Sequence, residues 1–310
     1  MSIDIVTTFD GVNRRFQLIK RLNGFLKELE KCNLKVVIGI QLRDKIDERI
    51  VTYFSRKYPN AKFACDYKKT ESIGNSKLRN LAINASNAEY LIFIDLDIYP
   101  DKDLIERIIG GLGSKKLVIY PCVYLTKEGT KLFLKEKQVS NVRSWLRGFR
   151  VRYVQHLAIP SSIVILPRVV AKAVGGFDEN YVGHGYEDFD FMIRVDEFVS
   201  GKRYSSFDLI DEPYNSPIFS IGFRHRLGMY CWENLKAGDF FVHLWHSRSQ
   251  TKQGDRSVNK RYFEEKLEAN FNLEELVDVN RQKYLMEKLS YFNEGDLRKY
   301  EFLFHKFNAK

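Results

Sequence analysis

Residues 90–101 read Tyr90-Leu-Ile-Phe-Ile-Asp95-Leu-Asp97-Ile-Tyr-Pro-Asp101, and this stretch decides the fold. Its first five residues are apolar or aromatic, the short continuous run expected of a buried strand. Pro100 has no amide hydrogen to give a sheet, so the strand stops before it. Asp101 then stands where a carboxylate can cap a helix over 102–109. Between strand and helix lie two carboxylates one residue apart, Asp95 and Asp97. Burying unpaired carboxylates is costly, so a buried strand does not end in two of them without reason. At the carboxyl end of a sheet strand they face the crevice where open α/β sheets bind ligands. Two acids there suit a divalent cation that in turn holds a diphosphate. A helix cap with one spare acid accounts for the same residues equally well.

Toward the N-terminus, strands and helices alternate. Residues 2–8 read as a strand, 10–13 as a polar turn and 14–31 as an amphipathic helix, with Leu18, Leu22, Phe25, Leu26 and Leu29 as its apolar stripe. A strand at 34–41, a helix at 45–57, a strand at 61–67 and a helix at 75–86 follow. The expectation is an α/β chain with a parallel, doubly wound sheet, its first half a Rossmann-like nucleotide-binding layout. Neither G-x-G-x-x-G nor a Walker A loop occurs, which removes the main support for dinucleotide and ATP readings.

Toward the C-terminus, residues 116–124 read as a strand and 126–152 as basic surface helices or a loop. A strand at 161–166 leads to Pro167, which opens a short helix to 174, and Gly175-Gly176-Phe177-Asp178 makes a turn. Next comes Tyr181-Val-Gly-His184-Gly-Tyr186-Glu187-Asp188-Phe-Asp190, running into a helix over 191–199. A helix N-terminus favours anionic Glu187 and Asp188, and Gly183 and Gly185 let backbone approach a ligand closely. A helix cap explains one acid. It does not explain three beside His184, Tyr186 and two glycines, so this cluster reads as functional. At Phe241-Val-His243-Leu-Trp-His246-Ser-Arg248 two histidines stand three apart, a spacing seen in metal pairs, although such a pair is more often packed core. The tail from 259 to 310 is helical in pattern and rich in Lys and aromatics. Packing on the domain is its default reading, with self-association or membrane contact as the alternatives.

The chain has 310 residues, 44% hydrophobic and 29% charged, as in ordinary globular proteins. No run approaches the roughly 18 apolar residues of a membrane span. The N-terminus shows no basic-then-apolar signal segment, and the four cysteines form no C-x-x-C. A cytoplasmic protein with reduced thiols is expected. The net charge of +10 points to anionic partners without choosing among nucleotide-sugars, acidic glycans, phospholipid and nucleic acid.

Taken together, residues 1–255 resemble the inverting GT-A glycosyltransferases, most of all the β-1,4-galactosyltransferase catalytic domain and bacterial family 2 capsule and chondroitin-type transferases. Asp95-Leu-Asp97 resembles the D-x-D metal motif. The run from Ser162 through Gly176-Phe-Asp to Gly183-His-Gly-Tyr-Glu-Asp-Phe-Asp190 is similar to the segment ending in W-G-x-G-G-E-D-D-D, with His184 in place of its Trp and Tyr186 in place of a Gly. His246-Ser-Arg248 resembles H-S-R. Thr8-Phe-Asp-Gly-Val-Asn-Arg-Arg resembles the uridine loop, and Asn75-Ser-Lys-Leu-Arg79 resembles the segment closing over the nucleotide.

The resemblance implies a GT-A fold, a Rossmann-like nucleotide-binding half with a mixed sheet, followed by a helical C-terminal extension. The expected division is 1–124 for the nucleotide-sugar half, 125–255 for the acceptor half and 256–310 for the extension. It also implies transfer of a sugar from a UDP-sugar to a glycan or lipid-linked acceptor, with capsule or lipopolysaccharide synthesis as setting. Asp188 is the implied base, with Glu187 beside it. Thr8, Phe9, Asp10, Arg14 (or Arg15), Lys77, Arg79 and Asp95 face the donor, and His184, Tyr186 and Asp190 face the acceptor. Asp97, His243 and His246 hold Mn²⁺ or Mg²⁺, the mixed oxygen and nitrogen set favouring Mn²⁺ over Ca²⁺. The rival readings are a sugar-nucleotide pyrophosphorylase and a non-catalytic glycan- or nucleic-acid-binding module. Nucleic acid has no use for Glu187 and Asp188 and is not an expected partner. Peripheral contact with an inner membrane through the basic tail, and homo-oligomers, complete the expectations.

Overall fold

The computed structural model describes all residues except 11–14, 68–73, 205–216, 248–250, 268–276, 293–297 and 305–310. In chain order the elements are β1 (Ile3–Phe9), α1 (Arg15–Glu30), β2 (Lys35–Gln41), α2 (Lys45–Lys57), β3 (Ala61–Asp66), α3 (Asn75–Ala85), β4 (Tyr90–Phe93), β5 (Ile98–Tyr99) and α4 (Lys102–Gly111). These are followed by β6 (Val118–Ile119), β7 (Cys122–Leu125), α5 (Lys127–Glu136), α6 (Val139–Arg147), β8 (Val154–Ala158), β9 (Val164–Pro167), α7 (Arg168–Ala173) and α8 (Glu187–Ser200). The last elements are α9 (Gly222–Gly228), α10 (Trp232–Lys236), β10 (Phe241–His243), α11 (Thr251–Leu267) and α12 (Val277–Leu289). Two compact units share them. The first comprises residues 1–118, 162–201 and 248–266, the second 119–161, 202–247 and 267–310.

In the first unit the sheet order is β3-β2-β1-β4-β9. The first four strands are parallel and β9 runs antiparallel to β4, so the sheet is mixed. β1 and β2 are buried along nearly their whole length, as sheet strands covered on both faces must be. The α1 stripe of Leu18, Leu22, Phe25, Leu26 and Leu29 is buried as its spacing requires. Asp44 and Asp101 cap α2 and α4, each accepting two backbone amides. At Gly39 a β-carbon would sit 1.9 Å from the Leu78 carbonyl oxygen, so only glycine lets β2 lie this close to α3. The chain steps from β1 outward to β2 and β3 and then returns to β4 on the other side of β1. That reversal makes a switch point, and ligands bind at the carboxyl ends of strands flanking one. Asp10 follows β1 and Asp95 follows β4 at that edge.

The second unit carries β10 parallel to β7 and β7 antiparallel to β8. Its core includes Phe133, Leu157, Phe223, Trp232 and Phe241, all buried. The expected strand over 116–124 is two short strands flanking Pro121, which has no amide to continue a ladder. The helices α9 and α10 fall where the sequence carried no reading. Of the tail, α11 belongs to the first unit and α12 to the second. All four cysteines are free. Among the described residues, no helix is long and apolar enough to cross a membrane.

Candidate active site

The site of the first unit is built around Arg79, in the second turn of α3. Arg79 is 4% exposed, and its guanidinium reaches three carboxylates. Nη2 donates to Asp95 Oδ1 at 3.1 Å, while Nη1 lies 2.9 Å from Asp188 Oδ1 and 3.4 Å from Glu187 Oε1. The guanidinium carbon sits 5.0 Å over the ring of Phe177, which stacks on Phe191 at 4.0 Å. Phe93, at the end of β4, meets both rings edge-on at 5.5 and 5.7 Å. An aromatic floor thus joins the central strand to α8 and fixes the height of the arginine. The arginine in turn joins the D-x-D strand end to the acid pair, which lies 108 residues from it along the chain.

The loop before α8 is shaped by positive φ. Gly175, Gly176, Gly183 and Gly185 have φ of 80, 71, 66 and 114°. Tyr186, the residue just before α8, has φ 69°, which is unfavourable for a side chain-bearing residue. Such backbone conformations gather where a site must be held in one arrangement. Here the turn begins the helix at Glu187, four residues before the expected start at 191, and puts Glu187, Asp188 and Asp190 in its first turn. Asn80 secures the other end of the loop. Its amide donates to the Phe177 carbonyl and Glu179, and its carbonyl accepts from the Phe177 amide, each within 2.9 Å.

The two acids face different surroundings. Glu187 is 1% exposed; its carboxylate accepts from the Gly185 amide at 2.5 Å and lies 3.5 Å from His184 Nδ1. Burial would raise its pKa, but the His184 contact and the Arg79 charge outweigh it and hold the carboxyl down at about 2. Asp188 keeps a fifth of its side chain open to solvent. Burial and the neighbouring Glu187 and Asp95 carboxylates push it up to about 7 against the pull of Arg79. One acid is a fixed anion. Its neighbour is pushed the other way, toward the protonated form, by burial and by the two carboxylates beside it.

The other expected donor-facing residues have varied surroundings. Thr8 and Phe9 end β1, and Phe9, 1% exposed, is packed in the core, so its ring is not open to a base. Asp10 follows the strand at the switch point; Arg14 lies outside the described residues, and Arg15 pairs with Asp44 at 2.8 Å. Lys77 pairs with Asp66 at 2.8 Å. On the acceptor side His184 is 47% exposed at its side chain. Tyr186 is buried, its ring 5.2 Å from Phe263 and beneath Arg256 at 5.7 Å. Asp190 is buried and paired with Arg194 and Lys266 at 2.6 Å each, which ties it into α8 and α11.

The expected metal ligands fall in both units, Asp97 in the first and His243 and His246 in the second. Asp97 is buried with the Arg21 Nε 3.6 Å from its Oδ1. In the second unit His156, Tyr124 and His243 form a stacked ladder across β8, β7 and β10, with ring spacings of 4.2 and 4.1 Å. His246 lies 5.3 Å from His243, ring to ring, and its Nδ1 is 3.0 Å from the Ser247 carbonyl oxygen. One carboxylate and two imidazoles suit Mn²⁺ chemically. Among the described residues, however, no group of three or more His, Cys, Asp and Glu side chains is arranged to hold a metal ion. The three residues lie in different units, and no chemical step is derived through an ion.

Sequence reasoning placed Arg79 toward the nucleotide and missed its role as the hub of three acids. It also missed Asn80, Asn259 and Lys266, which hold the acid-bearing loop. An amphipathic pattern cannot show which distant loop a polar side chain will brace.

Known proteins give the arrangement a context. A comparison with curated proteins finds no match. Among solved structures, S. aureus TarS residues 1–349 in complex with UDP-GlcNAc is 14% identical, with TM-score 0.50 over 94% of this chain and 72% of that one. The mannosyltransferase PcManGT from Pyrobaculum calidifontis, in complex with GDP-Man and Mn²⁺, is 11% identical, with TM-score 0.41 over 93% of this chain and 74% of that one. At such identity the first likeness shows the GT-A fold alone, and the second is too distant to add to it. The family described as "Glycosyltransferase like family 2" matches residues 36–269, most of the chain. The protein therefore belongs to glycosyltransferase-like family 2 and is a GT-A glycosyltransferase.

Proposed function

We propose that the protein transfers a sugar from a UDP-sugar to a hydroxyl of a glycan or lipid-linked acceptor with inversion, Asp188 serving as the base. The observation that carries this is the Arg79 hub beside a base with a raised pKa. Inversion needs a base on the face opposite the leaving diphosphate, and a base works best when its pKa lies near the working pH. Two observations support Asp188 as that base: it is partly open to solvent, and burial with the neighbouring carboxylates pushes its carboxyl up to about 7. Arg79 orients it through Nη1 and supplies a fixed positive charge in a buried setting. Glu187, held anionic, fixes the Arg79 and His184 positions. Asp95 at the switch point, with Thr8, Asp10 and Lys77, is assigned to the donor. His184 and the backbone of Gly183 and Gly185 are assigned to the acceptor.

The choice of UDP rests on the resemblance of the first loop and the D-x-D motif, in a fold that holds UDP-GlcNAc in TarS. Asp97, His243 and His246 remain proposed ligands of Mn²⁺ or Mg²⁺ on sequence motif alone. When bound, such an ion supplies positive charge for the departing diphosphate. Polysaccharide assembly, with peripheral contact at the inner membrane, is the proposed setting. UDP release measured across a panel of UDP-sugars with glycan acceptors tests the reading. Release specific to one sugar supports it. If no nucleotide-sugar binds by calorimetry, the enzyme reading gives way to a glycan-binding module.

A further inference from the structure

The acid-bearing loop is braced at three points by α11, a helix that begins more than 60 residues after the acid pair. At the start of the loop, Tyr262 donates its hydroxyl to Asp178 Oδ2 at 3.0 Å, and Lys266 reaches the same oxygen at 2.6 Å. Lys266 also reaches Asp190 Oδ1 at 2.6 Å, so one ammonium ties the beginning of the loop to the first turn of α8. In the middle, Asn259 is buried and pairs with Val182 twice, its carbonyl accepting the Val182 amide at 3.0 Å and its amide donating to the Val182 carbonyl at 2.8 Å. At the end, Phe263 packs on Tyr186, and a β-carbon on Gly185 would meet the Arg256 side chain at 3.1 Å.

These contacts share a geometry. Residues 178–186 connect an aromatic floor to the acid pair, and the loop contains glycines at positive φ that give it little stiffness of its own. Catalytic groups must be held to within about half an ångström of productive geometry by locked neighbours. Asn80 supplies that hold on the α3 side, and α11 supplies it on the other. The Val182 side chain at the middle brace and His184 between the braced points are exposed. We infer that Asn259 and Lys266 are positioning residues for transfer: through the loop and Asp190 they set where Asp188 and the exposed His184 meet the acceptor hydroxyl. The inference rests on Asp188 being the base.

The charge logic agrees. The Lys266 ammonium meets two carboxylates, both largely buried, so removing it leaves two anions facing each other across the loop base. Lys266→Arg preserves the charge and Lys266→Met removes it. Because Lys266→Met can lose fold as well as position, Asn259→Ser is measured beside it, since that change deletes the paired contact with Val182 and adds no buried charge.

The test is steady-state transfer with the wild type and the Asn259→Ser, Lys266→Met and Lys266→Arg variants, together with UDP affinity by calorimetry and thermal unfolding. The expected result for Asn259→Ser and Lys266→Met is a kcat lower by about ten-fold or more, with UDP affinity within three-fold of the wild type. Lys266→Arg should recover most of the Lys266→Met loss. A kcat within two-fold of the wild type in both Asn259→Ser and Lys266→Met overturns the inference, as does a loss of kcat and UDP affinity in equal measure. Failure of the underlying reading looks different: the wild type itself then shows no transfer, or Asp188→Asn transfers as fast as the wild type.

Discussion

Replacing Arg79 with methionine tests the hub most sharply. Methionine keeps the apolar stem of the side chain but ends short of the guanidinium, so the charge and the contact of the guanidinium carbon with Phe177 go together. Three carboxylates then lose their common cation. They do not lose equally. Asp95 has 39% of its side chain exposed, and a pair that open contributes at most about 1 kcal/mol. Asp188 is a fifth open and keeps part of its hydration. Glu187 is 1% exposed and retains only the Gly185 amide and His184. Stripping the partner from a buried ion pair costs about 3–5 kcal/mol, and the remaining contacts of Glu187 put the expected loss near the lower end, about 3 kcal/mol.

The sign of the pH dependence follows from the same groups. In the wild type the Glu187 carboxyl is held down at about 2, so its contribution to stability is present above the ordinary glutamate range and is lost as pH falls through the folded value. Without Arg79 the carboxyls rise above their unfolded values. The penalty is then full at high pH and fades as the acids take protons. Urea unfolding of wild type and Arg79→Met should therefore differ by about 3 kcal/mol at pH 8 and by clearly less at pH 5. A difference below about 1 kcal/mol at pH 8, or one that does not shrink at pH 5, would refute the picture of a buried hub.

Further predictions concern the base, the sheet and the metal. The acid limb of kcat/KM should lie near pH 7, well above the ordinary aspartate value of about 4, because Asp188 must be ionised to act and its carboxyl is pushed up to about 7; a profile flat from pH 5 to 8 removes that role. Gly39→Ala places a β-carbon 1.9 Å from the Leu78 carbonyl oxygen and should cost about 1–3 kcal/mol or more in urea unfolding while disturbing α3 and so Arg79; wild-type stability in that variant would show that the β2–α3 spacing can relax. Mn²⁺ should tighten UDP binding in the wild type and fail to do so in His246→Ala, whereas equal tightening in both leaves His246 as a packed neighbour of the stacked His156-Tyr124-His243 ladder.

The sheet was readable because each of its determinants is local. Apolar runs, helix periodicity and the cap Asp101 lie within a few residues of the elements they define. The acid cluster also stood out in the sequence, since glycines at 183 and 185 beside three acids leave few structural explanations. The hub did not. Arg79, Asp95 and Glu187 come from three separate stretches, and no spacing in one stretch shows which partner a guanidinium will choose. The burial of Phe9 was not legible for a related reason: a strand-end aromatic beside a loop looks alike whether it faces the loop or the core, and one residue of register decides it. The brace formed by α11 lay in a stretch whose periodicity announces a helix without naming its neighbour.

The measurement that tests the central claim most directly compares wild type and Asp188→Asn for UDP-sugar affinity and for the rate of transfer to acceptor. The asparagine keeps shape and loses the proton-accepting carboxylate. The expected result is donor affinity within a few-fold of the wild type and transfer slower by about 10²–10⁴-fold. Transfer at the wild-type rate would contradict the assignment of the base, and with it the role given to the Arg79 hub.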